Sequence, residues 1–71
     1  MSPDELRDLL NAEPFRPFIV CLGGDRAYRI ADPEFAMITP AGQTLVLVQD
    51  LSDAVEVLDV TLITRVEIEA N

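Results

Sequence analysis

Short apolar runs separated by turn signals follow one another from Phe18 to Ile68, and a capped helix pattern precedes them. This order, one helix and then five to six short strands, is typical of a small β-barrel. We therefore predict a mainly β, α+β domain, with a helix over 2–12 followed by an antiparallel barrel over 18–69. The 71 residues are expected to form a single domain, since a chain of this length builds only one core.

The first residues carry the signature of a helix start. Ser2 is expected to accept a hydrogen bond from the Glu5 N–H, and Pro3 suits the first helical position. Leu6, Leu9 and Leu10 fall on one face at helical spacing. The helix is therefore predicted to be a lid with one apolar stripe.

Turn residues divide the remainder of the chain into strands. The predicted strands cover 19–22, 26–30, 35–39, 44–49, 54–58 and a last alternating run that ends at Glu69. Gly23-Gly24-Asp25 supplies the positive φ values of a tight hairpin between the first two strands. A single helical turn is expected at Val60–Ile63, before the last strand.

Two of these strands are apolar on both faces, namely Ile19–Leu22 and Leu45–Val48. One copy of so small an antiparallel sheet covers only one face of each strand. A partner is also expected because so small a domain has a thin stability margin and the lone Cys21 forms no internal disulfide. The pattern predicts a homo-oligomer, a symmetric dimer or small ring, that associates through a sheet face or edge.

Seven side chains are candidates for an interaction surface. They are Phe15, Arg16, Phe18, Arg26, Tyr28, Leu45 and Leu47. Arg16 is expected either to bind a carboxylate of a neighbouring subunit, such as Glu56 or Asp59, or to pin the helix-to-barrel connector locally. Arg26 and Tyr28 share one face of a hairpin, where they either stack single-stranded bases or form a salt-bridged solvent face.

Reactive chemistry has few candidates in this chain, which contains no His, no Lys and no Trp. Cys21 has no imidazole base and lies inside an apolar strand, so it is interpreted as a buried small hydrophobe. Asp50-x-x-Asp53 lacks the alternating oxygen ligands and the Gly of a calcium loop. We therefore predict no catalytic, cofactor-binding or metal-binding residues, no cofactor, and no enzymatic activity.

The formal net charge of −8 opposes contact with phosphate backbones and with anionic membranes, and it favours basic protein partners. The N-terminus opens with acidic residues, and no apolar run approaches the ~20 residues that span a bilayer. We therefore expect a cytoplasmic protein with no membrane segment and no nucleic-acid partner.

Three segments carry a resemblance to known proteins: Pro14–Phe18, the hairpin at Gly23–Arg26, and the turn at Pro33–Phe35. The chain resembles a group of short uncharacterised bacterial proteins with similar segments, which implies no activity. More distantly, it is similar to Sm-like proteins, which place a helix before a bent five-stranded barrel and assemble into rings. The Lys-His pair with which bacterial members bind RNA corresponds to a position near Leu58-Asp59 in this chain. The acidic side chain of Asp59 is expected to repel phosphate there. Generic SH3-like barrels fit the strand pattern equally well.

Three functions are compatible with these features. The leading hypothesis is a non-enzymatic, self-associating module for protein interaction or assembly. The first alternative is a nucleic-acid-binding Sm-like protein, which requires the five Arg residues to gather on one face of the ring. The second is a small acidic regulator or antitoxin-like subunit that masks a basic partner.

Overall fold

The computed structural model describes residues 1–70 and contains one helix, six antiparallel strands and two 3-10 turns. The elements are α1 (Pro3–Asn11), β1 (Phe18–Leu22), β2 (Ala27–Ile30), β3 (Ala36–Ile38), β4 (Thr44–Val48), β5 (Val55–Asp59) and β6 (Ile63–Ile68), with 3-10 turns at Pro33–Phe35 and Val60–Leu62. The mainly β, α+β prediction and its N-terminal helix are confirmed.

The strands form two three-stranded sheets, ordered β2-β1-β6 and β3-β4-β5, with every pairing antiparallel. The predicted closed barrel is wrong, because within residues 1–70 no ladder of strand pairs joins one sheet to the other. The chain changes sheet twice, each time through a 3-10 turn. Pro33 has no N–H to donate to a ladder, and Asp59 caps the second turn by accepting from the Thr61 N–H. These turns interrupt the pairing that closure requires.

The core lies between the two sheets and is completed by the helix. Its fully or nearly fully buried apolar residues are Leu6, Phe18, Val20, Leu22, Ile30, Leu45, Leu47, Leu58, Val60 and Ile63. Among the described residues, no polar or charged residue is buried. A core built only from apolar side chains leaves no buried polar group in need of a partner.

The helix is capped at its start and is bonded to the turn between β3 and β4. The Ser2 Oγ accepts from the Asp4 N–H at 3.2 Å, one residue earlier than the predicted Glu5. The Arg7 Nη2 donates to the carbonyls of Thr39 and Pro40, each at 3.3 Å. These contacts hold the single buried helical residue, Leu6, over the open end of the core.

Gly42 allows the turn between β3 and β4 to approach the helix. Its φ is +77°, and a Cβ there would lie 2.9 Å from the Pro3 Cβ. We expect Gly42→Ala to lower the free energy of unfolding by about 1–2 kcal/mol, since an L side chain is strained at this φ and pushes the helix away. Urea unfolding followed by circular dichroism measures the change.

Gly23 offers a matched control for this substitution. A Cβ at Gly23 meets nothing within 4 Å, and its φ is not in the left-handed region. Gly23→Ala is therefore expected to change stability by less than about 0.5 kcal/mol. Equal losses from the two substitutions would show that Gly42 does not hold the helix against the turn.

Candidate interaction surface

Strand alternation gives the β3-β4-β5 sheet two apolar faces. Leu45 and Leu47 of β4 face the core, so Val46 and Val48 face outward. The register places Met37 of β3 and Val57 of β5 on either side of Val46, and Val55 beside Val48. We call this outer surface the outer valine face; its members are Phe35, Met37, Val46, Val48, Val55 and Val57.

The outer valine face is open to solvent over much of its area. Met37 is 54% exposed, Val55 61% and Val57 67%, while Val46 and Val48 are half-buried. The solvent face of an antiparallel sheet ordinarily carries polar side chains. A contiguous apolar surface of this kind is a candidate interaction surface.

The outer face of β1 differs from this surface, although its sequence is equally apolar. Cys21 is only 7% exposed and Ile19 is half-buried. In the register, Ile19 lies between Arg29 and Glu67, and Cys21 lies beside Arg65. The aliphatic stems of long charged side chains cover apolar neighbours while their charges stay in water. The outer face of β1 is therefore partly covered within one copy, and among residues 1–70 the more exposed apolar sheet face belongs to β3-β4-β5.

The structure separates the seven predicted interaction residues into two groups. Phe18, Leu45 and Leu47 are buried in the core of a single copy, because alternation turns them inward. In this fold they contact their own chain and present no surface to a partner. Phe15 and Tyr28 are half-buried against the core, whereas Arg16 and Arg26 are exposed. The sheet brings none of the seven together with the outer valine face.

Arg16 lies on the connector between helix and sheet. Its Nη2 donates to the Glu69 carbonyl at 3.0 Å, beyond the end of β6. On the same connector, the rings of Phe15 and Phe18 contact each other, with centroids 6.0 Å apart. This contact corresponds to the local pin, the second of the two roles considered for Arg16.

Arg26 and Tyr28 contact each other on the hairpin. The Arg26 Nη2 donates to the Tyr28 Oη at 3.2 Å, and its guanidinium carbon lies 6.0 Å from the centre of the ring. The hydrogen bond to Tyr28 raises the pKa of Arg26. The Arg26 guanidinium therefore lies beside the Tyr28 ring, on which a nucleic-acid base would have to stack.

The other Arg residues are also engaged within the chain. Arg29 donates to both carboxylate oxygens of Glu69, at 2.5 and 3.1 Å, and lies 4.0 Å from Asp50. Arg65 pairs with Glu67 on the same strand. Arg7 pairs with Asp4 in addition to its two carbonyl contacts. The positive charges are therefore spread among intramolecular partners.

Two carboxylates, exposed Asp59 and half-buried Glu69, have lowered pKa values. The pKa of Asp59 is lowered because the Thr61 side chain and then the Thr61 backbone N–H donate to it, at 2.7 and 2.9 Å. The pKa of Glu69 is lowered chiefly by its hydrogen bond from Arg29. A carboxylate with a depressed folded-state pKa stabilises the fold above its unfolded pKa, and this contribution is lost as pH falls through the folded value.

Thr61→Ala tests the cause of the Asp59 shift. The substitution removes the hydroxyl donor and keeps the backbone donor, so we expect the pKa of Asp59 to rise towards the ordinary Asp value of about 3.9. The variant should lose less stability than the native chain on acidification below the unfolded pKa, because the folded and unfolded pKa values of Asp59 then lie closer together. Carboxyl-carbon NMR titration measures the midpoint, and Glu69 should titrate unchanged. An unaltered Asp59 midpoint would show that the hydroxyl does not stabilise the carboxylate.

Cys21 and the acidic side chains are the groups to consider for catalysis or metal binding. Within residues 1–70, no three potential His, Cys, Asp or Glu ligands come together as a metal site. The thiol of buried Cys21 donates to a Glu67 carboxylate oxygen at 3.9 Å. The same residues include no helix that is long and apolar enough to cross a membrane.

Comparisons with family models, with curated proteins and with solved structures return no match to this chain. The resemblances to short uncharacterised bacterial proteins and to Sm-like proteins therefore stay predictions. Function has to be argued from the surfaces themselves.

Sequence reasoning missed three of the most exposed members of the outer valine face, Met37, Val55 and Val57. The signal was present as period-2 spacing, since Val55 and Val57 alternate with Glu56 and Leu58. Leu58 is the inward residue of this strand, which turns both valines outward.

Proposed function

We propose that this protein is a non-enzymatic, self-associating module for protein interaction or assembly, and that two copies pack through the outer valine face. The observation that carries the proposal is the row Met37, Val46 and Val57, which runs apolar across all three strands while remaining partly open. The same surface on both copies makes a closed, symmetric contact, the commonest arrangement in homo-oligomers.

Electrostatics favours this face over other surfaces for contact between identical chains. Two copies with a net charge of −8 each repel one another wherever their acids meet. The six members of the outer valine face are uncharged, and the acids next to them, Glu34 and Asp59, are exposed in one copy. Burying apolar area contributes about 25 cal/mol per Å², and sheets pack face to face at about 10 Å.

The order of one helix and six strands, with β6 returning to pair with β1 after a 3-10 turn, supports an Sm-like or SH3-like relationship as part of this proposal. The cytoplasmic setting expected from the sequence is proposed with it. No observation favours the nucleic-acid alternative. The five Arg residues have partners in the chain, and exposed Asp59 stands where the Sm-like resemblance places a cationic pair.

The proposed contact is tested directly by NMR on mixed samples. Isotopically labelled and unlabelled chains are combined, and filtered nuclear Overhauser spectra select contacts between copies. We expect intermolecular contacts from the methyl groups of Met37, Val46 and Val57, with none from Leu51, a fully exposed turn residue. Intermolecular contacts confined to other surfaces would overturn the assignment of the face.

A further inference from the structure

An open groove of about 570 Å³ lies between helix α1 and strand β6. Leu9 of the helix and Val66 and Ile68 of the strand supply apolar lining, while Glu5 and Asp8 supply acidic groups from the helix. Ile68 is 47% exposed although it lies on the core-facing side of its sheet, beside Phe18 in the register. The groove shares no residue with the outer valine face.

One side of the groove is the unpaired edge of a sheet. β6 is an outer strand in the order β2-β1-β6, so one of its edges has no strand neighbour among residues 1–70. The Glu69 N–H donates to the Pro17 carbonyl at 3.0 Å. Because hydrogen-bonded and non-hydrogen-bonded pairs alternate along an antiparallel ladder, the odd-numbered residues of the β1-β6 ladder form its hydrogen-bonded pairs. The backbone groups of Val66 and Ile68 therefore point away from β1, toward the free edge. Such a row of donors and acceptors is a template for another strand.

Two carboxylates, those of Glu5 and Asp8, stand beside this edge, together with the Met1 ammonium, which donates to the Ile63 carbonyl at 3.4 Å. Within the described chain, neither Glu5 nor Asp8 has a cationic group within 4.0 Å, whereas the lining Arg65 is paired with Glu67. Both helical carboxylates belong to a chain with a net charge of −8. A cationic segment is attracted here, and a second copy of this acidic chain is repelled.

We propose that this groove binds an extended segment of a basic protein, in which apolar residues alternate with Lys or Arg, as a fourth strand added to β6. Main-chain hydrogen bonds to Val66 and Ile68 give affinity, as in other cases of strand addition. Alternate side chains of the segment meet Leu9 and the apolar floor, and its cations approach Glu5 and Asp8. The site goes beyond self-association and is compatible with it, since the two surfaces are separate.

A fluorescent synthetic peptide of alternating Lys and Val probes the charge component, with binding to the full chain followed by anisotropy. We expect Glu5→Gln with Asp8→Asn to weaken binding about fivefold or more, since two ion pairs are lost. Glu13→Gln with Asp53→Asn is the matched control: it removes the same charge outside the groove, and Asn tolerates the positive φ of Asp53. The control is expected to weaken binding less than about twofold.

Two further peptides probe the added strand while leaving the protein unchanged. One peptide carries backbone N-methyl groups on its odd-numbered residues and the other on its even-numbered residues. Each peptide therefore lacks the N–H donors along one of its two edges. We expect one peptide to bind and the other to fail, because a strand pairs through one edge only. Amide shifts of Val66 and Ile68 should accompany binding of the unmodified peptide.

Several results would overturn the proposal: absence of binding, equal weakening by the two double variants, equal binding of both methylated peptides, or amide shifts confined to other strands. Repeating the titration with Val57→Glu separates this site from self-association. We expect unchanged peptide affinity in that variant, whatever its oligomeric state.

Discussion

Leu45→Ala is expected to lower the free energy of unfolding by about 2–5 kcal/mol. Leu45 is fully buried between the sheets, and its register partners Ile38 and Leu58 face the same core. Truncation removes apolar contacts and leaves a cavity that the two sheets cannot fully close. A domain of this size rarely has more than about 3–5 kcal/mol of stability from its core. The variant should therefore be largely unfolded at room temperature, as measured by circular dichroism and urea unfolding.

Leu51→Ala makes the same chemical change at an exposed position. Leu51 is 98% exposed in the turn between β4 and β5, so its loss should alter stability by less than about 0.5 kcal/mol. The pair distinguishes a core role for Leu45 from the interface role considered from sequence. A Leu45→Ala chain that stays folded as a monomer would contradict its assignment to the core.

Val57→Glu is expected to raise the dissociation constant for self-association at least 100-fold. Val57 lies at the β5 end of the row that crosses the outer valine face, and it is 67% exposed in one copy. A symmetric contact would bury two such carboxylates without cationic partners, which costs about 3 kcal/mol or more. The folded single copy should tolerate the substitution, because the new charge remains in water. Sedimentation velocity over a concentration series measures the change.

Leu51→Glu is the control for net charge. Each variant carries one additional negative charge, so general repulsion between chains increases equally in both. Leu51 lies outside the outer valine face, and we expect its variant to associate almost as the native chain does. Equal weakening by the two substitutions would indicate general repulsion and remove the support for a contact through Val57.

The helix and the six strands were predictable because their signals are local. The Ser2-Pro3 start, the Gly23-Gly24 hairpin and the clean alternation of the last strand each specify an element within a few residues. Closure of the barrel was predicted wrongly, because alternation fits a closed barrel and two separate sheets equally well. The interruption coincides with the 3-10 turns after Asp32 and Asp59, and which strands pair on either side of each turn is decided by contacts far apart in the sequence.

The interaction surface was only partly predictable. The apolar run Leu45–Val48 shows that both faces of β4 are apolar, and it does not show which face meets the core. That choice depends on the helix and on β1, which cover Leu45 and Leu47 and leave Val46 and Val48 outside. Cys21 is covered by its neighbour in the β1-β6 register, Arg65. The two residues lie far apart in the sequence, so the sequence pattern does not reveal that they are paired.

Sedimentation equilibrium of the native chain over a range of concentrations is the most direct test of self-association. We expect a weight-average mass of at least two 71-residue chains at high concentration, which falls towards one chain on dilution. A mass of one chain at every concentration, with the Met37 and Val57 side chains still exposed to solvent, would contradict the account.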